Sequence, residues 1–308
     1  IAVNSRKKMA MEIQYSLFGF MDSIIGQLKE NGRLRTSETY RSTLNSFRRF
    51  RQDRDIDLRR LDGHVVEAYE AWLRNRGLVP NSTSFYLRIL RATYNRAVEL
   101  QHIRNRRPFR HVYTGVDRTV KRALPLNTLR RIRALDLSRR PKMEYARDMF
   151  MLSFYLRGMS FVDMAFLRKS DLRRGKIEYR RRKTGQKLSV AWTREMQQII
   201  EKYPPNSSAY LLPIIRREDY NEIYAYRNAG YMINYNLKRI ASLAGISVPL
   251  TLYVARHSWA SIARASGIPL SVISEGMGHE SEATTRIYLA NLDTAVVDRA
   301  NARILRMI

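Results

Sequence analysis

The chain has 308 residues, of which 44% are hydrophobic; this is enough for two domains with cores of their own and excludes a disordered basic tail. Lys and Arg number 56 against 28 Asp and Glu, and a net charge of +28 opposes compaction unless a polyanion neutralises it. The absence of cysteine excludes a disulfide framework and a thiolate zinc site, and no apolar run reaches the ~18–20 residues needed to span a bilayer.

The charge is spread along the chain. Residues 1–122 carry 25 basic and 12 acidic side chains, net +13, which leaves +15 of the total for the remainder. Two basic halves are what two domains gripping one duplex require. At the start, Glu12, Gln14 and Asp22 interrupt any signal-peptide pattern. Leu17, Met21, Ile24 and Leu28 fall at i, i+4, i+7, i+11 and predict an amphipathic first helix. A second helix, capped by Ser37, carries Tyr40, Leu44 and Phe47, with Arg41, Arg48 and Arg51 on other faces. Val65, Val66, Tyr69, Trp72 and Leu73 form the next stripe, stopped by Gly77. After Pro80, a helix capped by Ser82 turns Leu87, Leu90, Tyr94 and Ala97 inward. Its Arg88, Arg91 and Asn95 share an outward face, either a DNA contact or a solvated surface.

Pro108 and Gly115 break the periodicity over 103–122, where seven basic residues suggest a linker that tracks a phosphate backbone. Helical spacing resumes at Leu126, Leu129, Ile132 and Leu135, and residues 145–156 are apolar on most faces apart from Arg147 and Asp148, so that helix is expected to be central. Residues 175–192 alternate as two strands, with Ile177 and Tyr179 in one and Leu188, Val190 and Trp192 in the other. Lys183-Thr184-Gly185-Gln186 forms the turn between them. Between Arg173 and Lys187 there are eight basic residues and one acid, a density that charge protection of an edge strand explains only in part.

Residues 251–292 then place Arg256, His279 and Tyr288 in one stretch. A phenol beside a fixed cation and an imidazole can attack a phosphodiester without a metal. Metal chemistry finds few ligands, with five His and no clustered carboxylate motif, and no Gly-rich phosphate loop is present. No cofactor is expected.

These residues resemble the tyrosine recombinases (phage-integrase family). The resemblance is carried by A-R-H-S-W-A (255–260), G-M-G-H-E-S (276–281) and T-T-R-I-Y (284–288), with the family's nine-residue step from His279 to Tyr288. It implies a mainly α fold. A helical, SAM-like core-binding domain would occupy 1–103 and a basic linker 104–122. A mostly helical catalytic domain with a small antiparallel β-sheet would occupy 123–308, ending in a short helix that includes Val296, Val297, Ala300, Ile304 and Leu305. That helix would dock on a neighbouring protomer or on its own domain.

The same resemblance implies roles. Tyr288 would be the nucleophile, forming a 3′-phosphotyrosine and freeing a 5′-hydroxyl. Arg256 would hold the non-bridging oxygens, His279 would donate to the phosphate or move protons, and Lys183 would protonate the leaving oxygen. Two departures stand out. The family usually has a His three residues before Arg256, where this chain has Tyr253, a hydrogen-bond donor but a poor base. The family's first Arg is replaced by Ser160, three residues before Asp163. A substitute cation is then required; Arg157 is favoured as one helical turn earlier, with Arg180, Arg181 and Arg182 on the hairpin as rivals and as DNA contacts.

The expected partner is double-stranded DNA, bound by a homo-tetramer on two sites with accessory DNA-bending proteins. The expected location is the cytoplasm, at the nucleoid. The expected outcome is integration, excision or inversion of a DNA segment. Ser160 and Tyr253 keep a second class open, a catalytically impaired DNA-binding protein of the same fold. DNA relaxation of the type IB topoisomerase kind is a third.

Overall fold

The computed structural model describes residues 15–117, 122–217, 221–288 and 305; of Ile287 and Tyr288 it describes the backbone alone. The expected terminal helix therefore lies outside the described residues except for Leu305. The chain divides into two compact units, 1–118 and 119–308.

The first unit is helical: α1 (Leu17–Glu30), α2 (Leu34–Arg51), a short 3-10 turn (Leu58–Arg60), α3 (Gly63–Asn75) and α4 (Pro80–Glu99). Ser16 caps α1 by accepting from the Gly19 amide at 2.8 Å. The stripe Leu17, Met21, Ile24 and Leu28 is buried as its spacing requires, against Leu44, Phe47, Leu58, Tyr69, Leu87 and Leu90. Phe47 and Tyr69 meet edge to face at 4.9 Å, a geometry that adds about 0.5–1.5 kcal/mol beyond burial.

Two expected caps are corrected. α2 starts at Leu34, one turn before the expected cap, because the turn after α1 is only three residues long. Ser37 is thus inside the helix, and its hydroxyl donates to the Leu34 carbonyl at 2.7 Å. α4 starts at Pro80, whose fixed φ suits the first helical position, so Val79 and not Ser82 is the cap.

The stretch read as a linker packs onto this unit for much of its length. Ile103, Phe109 and Val112 are buried in its core. The Tyr94 hydroxyl accepts from the Arg106 amide at 2.9 Å, and Asn81 and Asp117 exchange hydrogen bonds of 3.0 and 2.7 Å. Pro108 and Gly115 end the helical periodicity without preventing the apolar side chains from burying.

The second unit contains α5 (Leu126–Ala134), α6 (Pro141–Tyr155), α7 (Phe161–Ala165), a 3-10 turn (Lys169–Asp171), β1 (Leu172–Arg173), β2 (Lys176–Arg180), β3 (Lys187–Ala191), α8 (Arg194–Glu201), α9 (Glu222–Leu243), α10 (Leu252–Ala265), α11 (Leu270–Met277) and α12 (Glu282–Tyr288). The central helix is α6, packed by α8, α9 and α10. It also buries two charged residues, Arg147 and Asp148. Arg147 bonds Asp148 at 3.0 Å and the Leu135 carbonyl at 2.6 Å, while Asp148 accepts from Lys202 at 3.0 Å and Tyr203 at 2.9 Å. Fully paired charges are tolerated inside; stripped of one partner they are not.

The sheet is antiparallel in the order β1-β2-β3, and β1 is a strand the sequence pattern was too short to reveal. Ile177 pairs with Val190 and Tyr179 with Leu188, so the apolar members of both strands share the inner face.

Candidate active site

α10 brings Arg256 to the centre of the second unit. Its alanines (Ala255, Ala260 and Ala263) let the helix lie close to its neighbours, and the loop after α6 closes onto it at Gly158. Gly158 has φ +70°, and a Cβ there would stand 2.7 Å from the Arg256 Cα, so only glycine fits. Arg256 is 4% exposed, and both of its terminal nitrogens are held. Nη1 donates to the Gly158 carbonyl at 2.7 Å, and Nη2 donates to the Met277 carbonyl and to His279 Nε2, both at 2.8 Å.

His279 follows Gly278, which ends α11 in the left-handed region at φ +64°. Its Nδ1 lies 2.7 Å from the Thr285 hydroxyl on α12. Burial, and then the charges of Arg256, Arg181 and Lys183, push its pKa down to about 4. The ring is neutral near pH 7. Because a guanidinium only donates, Nε2 accepts from Arg256.

Ser160 sits where a first arginine was expected, and its hydroxyl is used locally. It caps α7, accepts from the Asp163 amide at 3.4 Å and donates to Asp163 Oδ2 at 2.6 Å. Asp163, itself buried, accepts from the Arg182 amide at 2.8 Å and lies 3.8 Å from Arg181 Nε. Arg181 is 7% exposed and its Nη1 donates to the Gly278 carbonyl. A Cβ on Gly278 would come within 2.6 Å of Arg181 Cδ, so this glycine makes room for the incoming side chain.

Arg157 does not occupy the place expected of it. Helical spacing would place it on one face with Ser160. However, α6 ends at Tyr155, and Arg157 and Gly158 both take positive φ, which turns the side chain off that face. Arg157 Nη1 donates to the Ser189 carbonyl of β3 at 3.3 Å.

Lys183 is exposed in the hairpin turn, which is closed by hydrogen bonds from the Arg181 amide to Gln186 (2.9 Å) and from the Gly185 amide to Arg181 (2.7 Å). It is near enough to His279 for its charge to depress that pKa. Arg180 and Arg182 are exposed; Arg180 reaches the Gly185 carbonyl at 3.1 Å and Arg182 stacks over Phe166 at 4.1 Å.

Tyr253, 51% exposed, meets His257 edge-on at 4.7 Å. Together with Ser160, Arg256, Phe161, Tyr231 and Asn234 it lines a cavity of about 510 Å³. α12 places the Tyr288 backbone at its last position; the phenol lies outside the described part of the structure. Among the described residues no group of three or more His, Cys, Asp or Glu can hold a metal ion.

In the first unit, Arg48 packs over Phe18 at 5.0 Å and pairs with Asp22 at 3.4 Å. Arg91 donates to the Thr114 hydroxyl at 2.6 Å, and Arg88 lies half-buried on the same helix.

Residues 16–112 match the family model described as the phage integrase SAM-like domain, and residues 122–295 match the one described as the phage integrase family. The tyrosine recombinase XerA of Thermococcus kodakarensis is 27% identical over 234 residues, which cover 74% of this chain and 77% of that protein. The Tn1549 transposon integrase in complex with a circular intermediate DNA superposes with a TM-score of 0.66 at 14% identity, over 94% of this chain and 99% of that one. A lambda integrase tetramer bound to a Holliday junction gives 0.66 at 18% identity, over 92% and 81%. At such identities the two structures speak for the fold.

Proposed function

We propose, because this chain belongs to the phage integrase family of tyrosine recombinases, that Tyr288 attacks the scissile phosphate while Arg256 and Arg181 hold its non-bridging oxygens. The enzyme cleaves and rejoins DNA at specific sites. One observation carries the assignment of residues. The carbonyls of Met277 and Gly278 fix the guanidiniums of Arg256 and Arg181 immediately ahead of the helix that ends in Tyr288.

Each group then has a chemical task. The Tyr288 hydroxyl releases its proton to solvent as its oxygen bonds to phosphorus and the P–O5′ bond breaks, leaving a 3′-phosphotyrosine. Lys183 gives a proton to the departing 5′ oxygen. Two fixed guanidiniums neutralise the charge that gathers on the non-bridging oxygens, and they do so without reorganising. Tyr253 donates a hydrogen bond from the cavity wall, the role open to a neutral phenol. The neutral ring of His279 holds Arg256. Rejoining reverses these steps with a 5′-hydroxyl from another strand. The phosphotyrosine conserves the bond energy, so no nucleotide is consumed.

DNA is the substrate. Arg180 and Arg182 on the hairpin, and Arg88 and Arg91 on α4, supply phosphate contacts; Arg48 is largely engaged with Asp22 and Phe18. Four copies acting on two sites, through a Holliday junction and with accessory DNA-bending proteins, would give integration, excision or inversion at the nucleoid in the cytoplasm. The fold relative solved on such a junction supports the four-copy reading. The test is a plasmid carrying two copies of a site trapped covalently from random-sequence DNA. Exchange of the flanks is expected; loss of supercoils with the flanks unexchanged would favour a topoisomerase.

A further inference from the structure

We propose that Thr285 is a positioning residue for strand cleavage: its hydroxyl fixes the His279 ring and thereby ties the helix that ends at Tyr288 to the phosphate-binding Arg256. The proposal rests on the roles assigned above to Arg256 and Tyr288.

The argument starts from donors and acceptors. Arg256 Nη2 lies 2.8 Å from His279 Nε2 and can only donate, so that nitrogen presents its lone pair. A neutral imidazole then carries its single proton on Nδ1. Nδ1 lies 2.7 Å from the Thr285 hydroxyl oxygen, which is therefore the acceptor. Thr285 is fully buried, which shields this contact from solvent. Its neighbour Thr284 is exposed, and its amide and hydroxyl face Ser281 at 3.4 and 3.3 Å, in the turn that starts α12. Of the two adjacent threonines, only Thr285 points to the site.

Tyr288 lies three residues after Thr285 on the same helix, on the same side by helical spacing. A chain of two hydrogen bonds thus runs from the guanidinium through the imidazole to α12. The charges that face His279 are Arg256 on α10 and Arg181 and Lys183 on the hairpin turn, and all three favour the neutral ring. Without the Thr285 hydroxyl, Nδ1 loses the partner that links the ring to α12, and the orientation of the imidazole relative to Arg256 is no longer tied to that helix.

The test uses the full chain with Thr285→Val, which keeps the shape and removes the acceptor, and Thr285→Ser, which keeps it. Single-turnover cleavage of a suicide DNA site and affinity for the same DNA are measured together, with selective ¹⁵N labelling of histidine to read the His279 tautomer. Thr285→Val is expected to slow cleavage by about 10- to 100-fold, the scale of a misaligned reacting group, with affinity changed less than about twofold. Thr285→Ser should restore most of the rate, and unmodified protein should carry the His279 proton on Nδ1. Wild-type cleavage by Thr285→Val, equal defects in both variants, or a proton on Nε2 in unmodified protein overturns the proposal. If Tyr288→Phe still forms the covalent adduct, the underlying site reading fails. If Tyr288→Phe abolishes the adduct but Thr285→Val is silent, only the Thr285 link fails.

Discussion

Arg181 and Arg256 donate to the carbonyls of consecutive residues, Gly278 and Met277, although one comes from a hairpin turn and the other from α10. Two buried guanidiniums so placed repel each other, and Asp163, 3.8 Å from Arg181, offsets only part of that. A phosphate between them would complete the balance. In the proposed mechanism Arg181 supplies the charge that Ser160 lacks, and Asp163, bonded to Ser160, accepts from the Arg182 amide beside it.

Replacing Arg181 with Ala should lower single-turnover cleavage by about 10²–10³-fold, the scale of losing one donor to transition-state charge, with DNA affinity reduced far less. Arg157→Ala should cost under about tenfold. Adding Ser160→Arg to the Arg181→Ala protein should recover part of the rate, because the cavity beside Ser160 has room for a guanidinium. A normal rate for Arg181→Ala would return the role to Arg157.

Much of this was legible in the chain. Ile177 and Tyr179 face inward, and a period of two carries Arg181 inward with them while Arg180 and Arg182 stay outside; alternation alone could have singled out Arg181. The helical stripes of the first unit were readable for the same reason, since burial follows periodicity. Helical spacing does not carry over to Arg157, because α6 ends at Tyr155 and two successive positive φ angles follow. Ser37 failed as a cap because a serine inside a helix bonds the backbone of the preceding turn just as readily. Thr285 stood within T-T-R-I-Y, but its task depends on a six-residue reach back to His279 that only the fold around α11 and α12 creates.

His279 should titrate near pH 4. The unfolded chain, with an ordinary pKa of about 6.5, binds this proton between those limits and the folded chain does not. Its contribution to stability therefore rises with pH from about 4 to about 6.5 and is constant above. Urea midpoints for the wild type and His279→Asn across that range measure the difference. A wild-type midpoint that falls relative to the variant as pH rises would contradict the buried neutral ring.

Gly158→Ala should destabilise the protein by about 1–3 kcal/mol, since alanine is strained at φ +70° and its Cβ meets the backbone of Arg256 at 2.7 Å. Cleavage should fall as well, because the Gly158 carbonyl orients Nη1. Denaturant unfolding with a parallel cleavage assay tests both, and an unchanged midpoint would mean that the loop after α6 is looser than its contacts indicate.

DNA affinity should fall linearly on a log–log plot against salt, as phosphate contacts release counterions. Arg182→Ala should reduce the slope by about 1 without altering site preference, because Arg182 is exposed on the hairpin. A salt-independent affinity would contradict a binding mode driven by the net charge of +28.

The central claim is that Tyr288 is the nucleophile served by Arg256 and Arg181. A nicked suicide DNA site, labelled 5′ to the cleavage point and incubated with wild-type or Tyr288→Phe protein, tests it directly. The account predicts a covalent protein–DNA adduct through the 3′-phosphate and a free 5′-hydroxyl with the wild type, and DNA bound but uncut with the variant. An adduct that survives Tyr288→Phe, or its absence from wild-type protein that binds the DNA, would contradict it.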